Sequence, residues 1–186
     1  HLIDEFGQAD WGGLIYNIAD TREAWVVETT THQWVARRVP DNAVYAVANQ
    51  FTIGETFDLS SKNLISFAVN KGWFKPDSDV FSFRNVYGRP EKMNQPFDAD
   101  RENRVYELLN DKLGSISVDH IISVLRDRYE GTEKFTPPQG EALTREFLSK
   151  HPTLSRPISV NTCQSSSVAH LRGHLHRHPH SPRSLQ

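Results

Sequence analysis

Four short apolar segments follow one another near the start of the chain: Gly12–Ala19, Ala24–Glu28, Gln33–Val39 and Ala43–Ala48. The breaks between them, Asp20-Thr-Arg22, Thr30-Thr-His32 and Pro40-Asp-Asn42, are turn chemistry. Asp, Asn and Thr side chains bond nearby backbone and Pro presets φ. The segments carry Trp, Tyr, Val and Ile, which fit a pleated surface. Short runs at this spacing predict an antiparallel meander, with Phe51–Ile53 extending the last strand. Gly54 to Leu59 reads as a polar connection.

A helix is predicted through Asn63–Val69, capped by Ser60 or Ser61, with Leu64, Phe67 and Ala68 on one face and a stop near Gly72. Phe81-Ser-Phe83 and Val86-Tyr87 read as short strands or an aromatic loop, and Met93–Asp100 as irregular. The second half turns helical. Asp98 or Asp100 caps a run whose stripe is Val105, Leu108, Leu109 and Leu113, ended by Gly114. Ser117 opens another, with Val118, Ile121, Ile122, Leu125 and Tyr129 on one face. A third is predicted over Gly140–Lys150, with Pro138 in its first turn. Ile158–Val160 and Ser167–Leu171 read as strands. His1–Phe6 reads as the last turns of a helix stopped by Gly7, so the chain is expected to be a piece of something longer. Strands, then helices, then strands is an α+β pattern.

Composition alters this picture little. The chain has 186 residues, 37% of them hydrophobic and 24% charged, with a formal charge of −2. That is ample for one core and gives no electrostatic reason to expect nucleic acid. No apolar run approaches a membrane span. The single cysteine allows no internal disulfide, which favours a cytoplasmic setting without deciding the compartment.

Asp20 to Glu28, Trp34-Val-Ala-Arg-Arg-Val-Pro-Asp41, and Val47-Ala-Asn-Gln-Phe51 with Ile53 together resemble the dipeptidase family of N-terminal-nucleophile cysteine hydrolases, the group of dipeptidase A and the secernins. Phe67-Ala68, Gly72-Trp73, Phe81, Tyr87-Gly88 and Pro157 to Arg172 extend the likeness over roughly Leu2 to Arg172. The resemblance implies part of an N-terminal-nucleophile hydrolase fold, antiparallel sheets layered with helices. It makes residues 1–172 a fragment of one amidohydrolase domain and 173–186 a disordered, His-rich tail outside the family. It also implies an amide hydrolase acting on dipeptides through an amino-terminal cysteine, borne on a preceding segment that would be this chain's partner. The chain alone is then expected to be inactive. It further implies that Trp11, Leu14, Tyr16 and Ile18 belong to a sheet that continues into strands found elsewhere in the family.

Within this frame Asn49 is the candidate catalytic residue. An Asn just past a strand offers an NH₂ donor to a developing oxyanion. Gln50, Arg38 and Arg156 are candidate substrate contacts, the arginines because a guanidinium binds a carboxylate in a bidentate manner. Arg37 and Arg38 fall on opposite faces of their strand. Glu23 and Glu28, framing Trp25, are expected at a strand start and on the exposed face. Cys163 has neither a free amine nor an adjacent histidine and is read as a small buried hydrophobe. His174, His176, His178 and His180 lack a Cys or carboxylate to complete a metal site. No metal or cofactor is expected, nor a nucleic-acid or membrane partner. The alternatives are a non-catalytic binding module on the same fold, and a relative of bile-salt or penicillin amide hydrolases.

Overall fold

A computed structural model describes residues 12–90, 96–135, 150–151, 154–160 and 165–172, together with Ile3 and Glu5, both helical. Three strands form the predicted meander: β1 (Leu14–Ala19), β2 (Ala24–Thr29) and β3 (Trp34–Val39). The register runs from Leu14↔Thr29 to Ala19↔Ala24 and from Ala24↔Val39 to Thr29↔Trp34. Both turns close through the residues that predicted them. Asp20 Oδ1 accepts from the amides of Arg22 at 2.7 Å and Glu23 at 2.9 Å. The Thr30 amide donates to the Gln33 carbonyl at 2.7 Å, and the Gln33 amide returns to Thr30 Oγ1 at 3.3 Å.

The fourth strand is not the predicted Ala43–Ala48. It is β4 (Leu59–Ser60), inside and just after the stretch read as a connection, and it pairs with Val35 and Ala36. The edge of β3 is already taken by residues 58–61. The Asp58 amide donates to the Ala36 carbonyl at 2.9 Å, the Ser61 amide to the Trp34 carbonyl at 3.0 Å, and the Arg38 amide to Asp58 Oδ2 at 2.8 Å. Displaced from the ladder, 43–48 packs Tyr45 and Val47 against the core instead.

One sheet face, with Val26 and Val35, closes on Ile53, Leu64 and Phe83. The opposite face carries Leu14, Tyr16 and Ile18, all exposed. Helix α1 (Leu64–Asn70) buries Leu64 and Ala68 as predicted, but neither serine caps it. Asn63 stands at the cap without a side-chain bond, while Ser61 is drawn inside and its hydroxyl donates to Gln33 Oε1 at 2.7 Å. The aromatic stretch forms neither strand nor loop but helix α2 (Phe83–Tyr87). Its first free amides, of Phe83 and Arg84, find the carbonyls of Gly54 and Ile53 at 3.0 and 2.9 Å. Phe83 and Tyr87, one turn apart, stack with centroids 5.0 Å apart.

Helix α3 (Pro96–Asn110) begins before the expected caps, so Asp98 lies in its first turn, where a carboxylate favours the helix dipole. Leu109 is buried on its stripe but Leu113, in the turn beyond, is exposed. Helix α4 (Val118–Arg126) opens as predicted, with Ser117 Oγ accepting from the His120 amide at 3.1 Å. Its deepest residue is Val124, whereas Val118 is exposed and Tyr129 lies past the helix end. Neither 158–160 nor 167–171 is a strand. The Ser159 amide instead reaches the Asp127 carbonyl at 3.1 Å, tying this segment to the end of α4. Of the third predicted helix only Lys150 lies within the described residues, and it is helical. Cys163 and the His-rich tail lie outside them.

Candidate active site

A cleft of about 650 Å³ opens at the end of the meander where β1 begins. Its lining comes from Gly12 to Ile15, the turn 30–33, residues 48–51, Trp73, Tyr87 to Arg89, Asp98 and Arg156. Close approach of backbone shapes the floor. A Cβ on Gly13 would stand 2.3 Å from the Phe51 ring, so the ring lies directly on this glycine.

Asn49 is at the cleft and solvent-exposed. Arg101, on the first turns of α3, donates to its Oδ1 at 2.6 Å. A guanidinium only donates, so this contact assigns the amide oxygen to Arg101 and leaves the NH₂ group as the donating end. The same Arg101 Nη2 is bonded to Asp98, which is 1% exposed. A buried anion thus backs a cation, which in turn orients a neutral amide. Sequence reasoning missed this arrangement because Asp98 read as a cap. The available signal was the Asp98-x-x-Arg101 spacing, which puts both side chains on one helix face.

The backbone carrying Asn49 is anchored one step away. Glu28 is wholly buried, not on the exposed face expected for it. Its carboxylate accepts from the Thr52 amide at 2.6 Å, the Thr52 hydroxyl at 2.7 Å and the Ile53 amide at 3.0 Å. Register explains the inversion. Glu28 faces Val35 across the pair and points with it toward the core, where 51–53 arrives with amides that no strand uses. Burial pushes the Glu28 carboxyl above its ordinary range, and the Thr52 and Ile53 bonds oppose this. Residues 51–53 therefore bond to a side chain rather than continue a ladder.

The other expected site residues divide. Gln50 and Arg156 line the cleft with Asn49. Gln50 is largely buried, and its Nε2 donates to Glu102 Oε2 at 3.2 Å, which turns the amide toward α3. The Arg156 carbonyl accepts from the Tyr129 hydroxyl at 3.3 Å. Arg38 is not brought to the cleft. It pairs with Asp41 at 2.6 Å and Glu23 at 3.6 Å on the exposed edge. Arg89, not anticipated from sequence, stands at the cleft instead. Among the described residues no cluster of His, Cys, Asp and Glu could hold a metal ion, and no helix is long and apolar enough to cross a membrane.

The sequence model of peptidase family C69 matches residues 1–181. The chain belongs to peptidase family C69. It is similar to a probable dipeptidase of Salmonella dublin, 26% identical over 200 residues that cover 94% of this chain and 43% of that protein. A probable dipeptidase of Latilactobacillus sakei is 24% identical, over 94% of this chain and 40% of its own length. Dipeptidase A of Lactobacillus helveticus is 19% identical, over 92% and 39%. This C69 chain thus spans about two-fifths of the curated relatives it matches.

Proposed function

We propose that this C69 chain supplies the oxyanion donor and the substrate cleft of a cysteine-type dipeptidase. The observation that carries the reading is the Asn49 carboxamide at the cleft, with its oxygen held by Arg101. In this reading the nucleophile is an amino-terminal cysteine on a partner segment outside these residues. Its thiol proton passes to its own α-amino group, whose ordinary pKa of about 8 suits a base near neutrality. Sulfur adds to the scissile carbonyl, and the carbonyl oxygen takes up negative charge. The Asn49 NH₂ group donates to that oxygen. Collapse breaks the C–N bond, and the leaving amine takes the proton back from the α-ammonium. Water then cleaves the thioester, releasing the first amino acid and restoring the thiol. Because Arg101 holds the amide orientation beforehand, little reorganisation is required as charge develops.

The test is dipeptide hydrolysis by this chain joined to a cysteine-bearing segment, compared with the chain alone. The joined enzyme is expected to turn over and the chain alone to be inert. Removing an oxyanion donor typically costs about 10²–10³ in kcat, so Asn49→Ala should fall by that factor with little change in KM. Retention of more than about a third of kcat by a folded Asn49→Ala variant, far above that loss, would remove Asn49 from the mechanism.

A further inference from the structure

Beyond Asn49 the cleft has a wall of rings: Phe51, Phe67, Trp73 and Tyr87. The wall is built, not incidental. Helix α1 ends at Asn70, and Gly72 beyond it, with a φ of +70°, turns the chain back on itself. The Gly72 amide donates to the Val69 carbonyl and the Trp73 amide to the Ala68 carbonyl, both at 2.9 Å, the paired bonds of a Schellman stop. That stop delivers Trp73 to the cleft. Its indole makes T-shaped contacts with Phe67 and Tyr87, with centroids 5.9 and 5.8 Å away. Tyr87 is itself fixed, stacked on Phe83 and donating from its hydroxyl to the Leu64 carbonyl at 2.7 Å. Yet Trp73 remains 53% exposed. A large ring packed against two neighbours and still open to solvent is an apolar platform ready for a ligand.

Two residues after Tyr87 the chain places Arg89 at the same cleft. Arg89 is exposed, and no carboxylate partner for it is found among the described residues. The cleft's acidic residue, Asp98, is already matched by Arg101. The site therefore combines an apolar wall with a cation whose charge is not cancelled by the lining.

We propose that this wall and Arg89 together form the subsite for the carboxy-terminal residue of a dipeptide, with a ring-bearing side chain against Trp73 and the terminal carboxylate on Arg89. This rests on the dipeptidase reading above. Side chain and carboxylate of such a residue hang from one Cα, and Trp73 and Arg89 line one cleft. A guanidinium suits a carboxylate through two parallel N–H bonds.

The test is equilibrium binding to the 186-residue chain, read by isothermal titration calorimetry so that every variant reports in the same way. The probes are Gly-Phe, Gly-Gly and Gly-phenylalaninamide. Gly-Phe is expected to bind about tenfold or more tighter than Gly-Gly, as a filled apolar pocket allows. It should exceed its own amide by about tenfold, the scale of a hydrogen bond to a charged group. Arg89→Met should abolish the second ratio and keep the first; Trp73→Ala should do the reverse. Equal binding of acid and amide, or ratios unmoved by either substitution, would overturn the subsite. The two readings fail separately. The ratios with no hydrolysis by the joined enzyme leave the subsite and remove the dipeptidase, whereas hydrolysis lost in Asn49→Ala with flat ratios does the opposite.

Discussion

Helix α3 carries two arginines one turn apart, and they do different work. Arg104 is an internal tie. Its Nε and Nη2 meet the two oxygens of Asp127 at 3.0 and 2.9 Å, and Nη2 also donates to the Glu130 carbonyl at 3.0 Å. Asp127 in turn accepts from the Tyr129 amide at 2.9 Å. Tyr129 has a φ of 65°, an unusual conformation for a bulky residue, so the pair secures a strained turn. Arg101 has its buried carboxylate, Asp98, on its own helix, and the same Nη2 also donates to Asn49. Similar ion pairs thus serve opposite ends. A guanidinium matched in bidentate fashion by one buried carboxylate joins elements, whereas one that meets its carboxylate through a single nitrogen can orient a neighbouring amide with that same nitrogen.

The largest effect is expected on the tie. Arg104→Ala strands Asp127 inside the protein, and breaking a buried pair from one side costs about 3–5 kcal/mol. Urea unfolding should show it as a lowered midpoint; a loss below about 1 kcal/mol, the range of exposed pairs, would make Arg104 no more than a surface contact.

Arg101→Met should sharpen the contrast. It removes the charged hydrogen bond to Asn49, worth about 1.5–3 kcal/mol, and in the folded joined enzyme that loss should fall on kcat rather than KM, separate from the stability lost by stranding Asp98. In a double-mutant cycle with Asn49→Ala the kcat losses should be strongly non-additive, since both act on one donor. Additive losses would separate the two residues. Arg101→Lys should recover part of the rate.

The smallest effect concerns a third buried charge that no arginine meets. The Glu28 carboxyl is raised from its ordinary 4.5 by burial, so between that value and its native one the folded chain binds more protons than the unfolded chain. Stability should therefore fall as pH rises through that window. Glu28→Gln should erase this slope while lowering stability by about 1–3 kcal/mol, because its NH₂ group faces amides that need an acceptor. Unfolding curves at several pH values read both, and an unchanged slope would assign it to other groups.

Much was legible along the chain because it is local. The β1–β3 meander, its two turns, α1 and the Ser117 start of α4 depend on residues within a few positions of one another. Asn49 was singled out from its place after an apolar segment and from family likeness; it lines the cleft, although that segment is not a strand. The errors share one cause. Ala43–Ala48 looks like a strand but loses the β3 edge to residues 58–61, which arrive from further along the chain. Phe81–Tyr87 has ring spacing that suits strand or helix, and the carbonyls of Ile53 and Gly54 decide for helix. Arg38 and Arg89 are equally cationic in sequence, yet only Arg89 reaches the cleft.

By itself the sequence determined the apolar period, the turns and the family, since these follow from residue type and spacing. Only the tertiary structure decided which acid is buried, which arginine is a tie, and which faces the cleft. Those outcomes depend on partners from 20 to 52 positions away: Asp58 for the Arg38 amide, Asp127 for Arg104, and Arg101 for Asn49. A charge or an amide takes its role from whatever the folded chain sets against it, because burial makes an unmatched polar group costly and a matched one rigid.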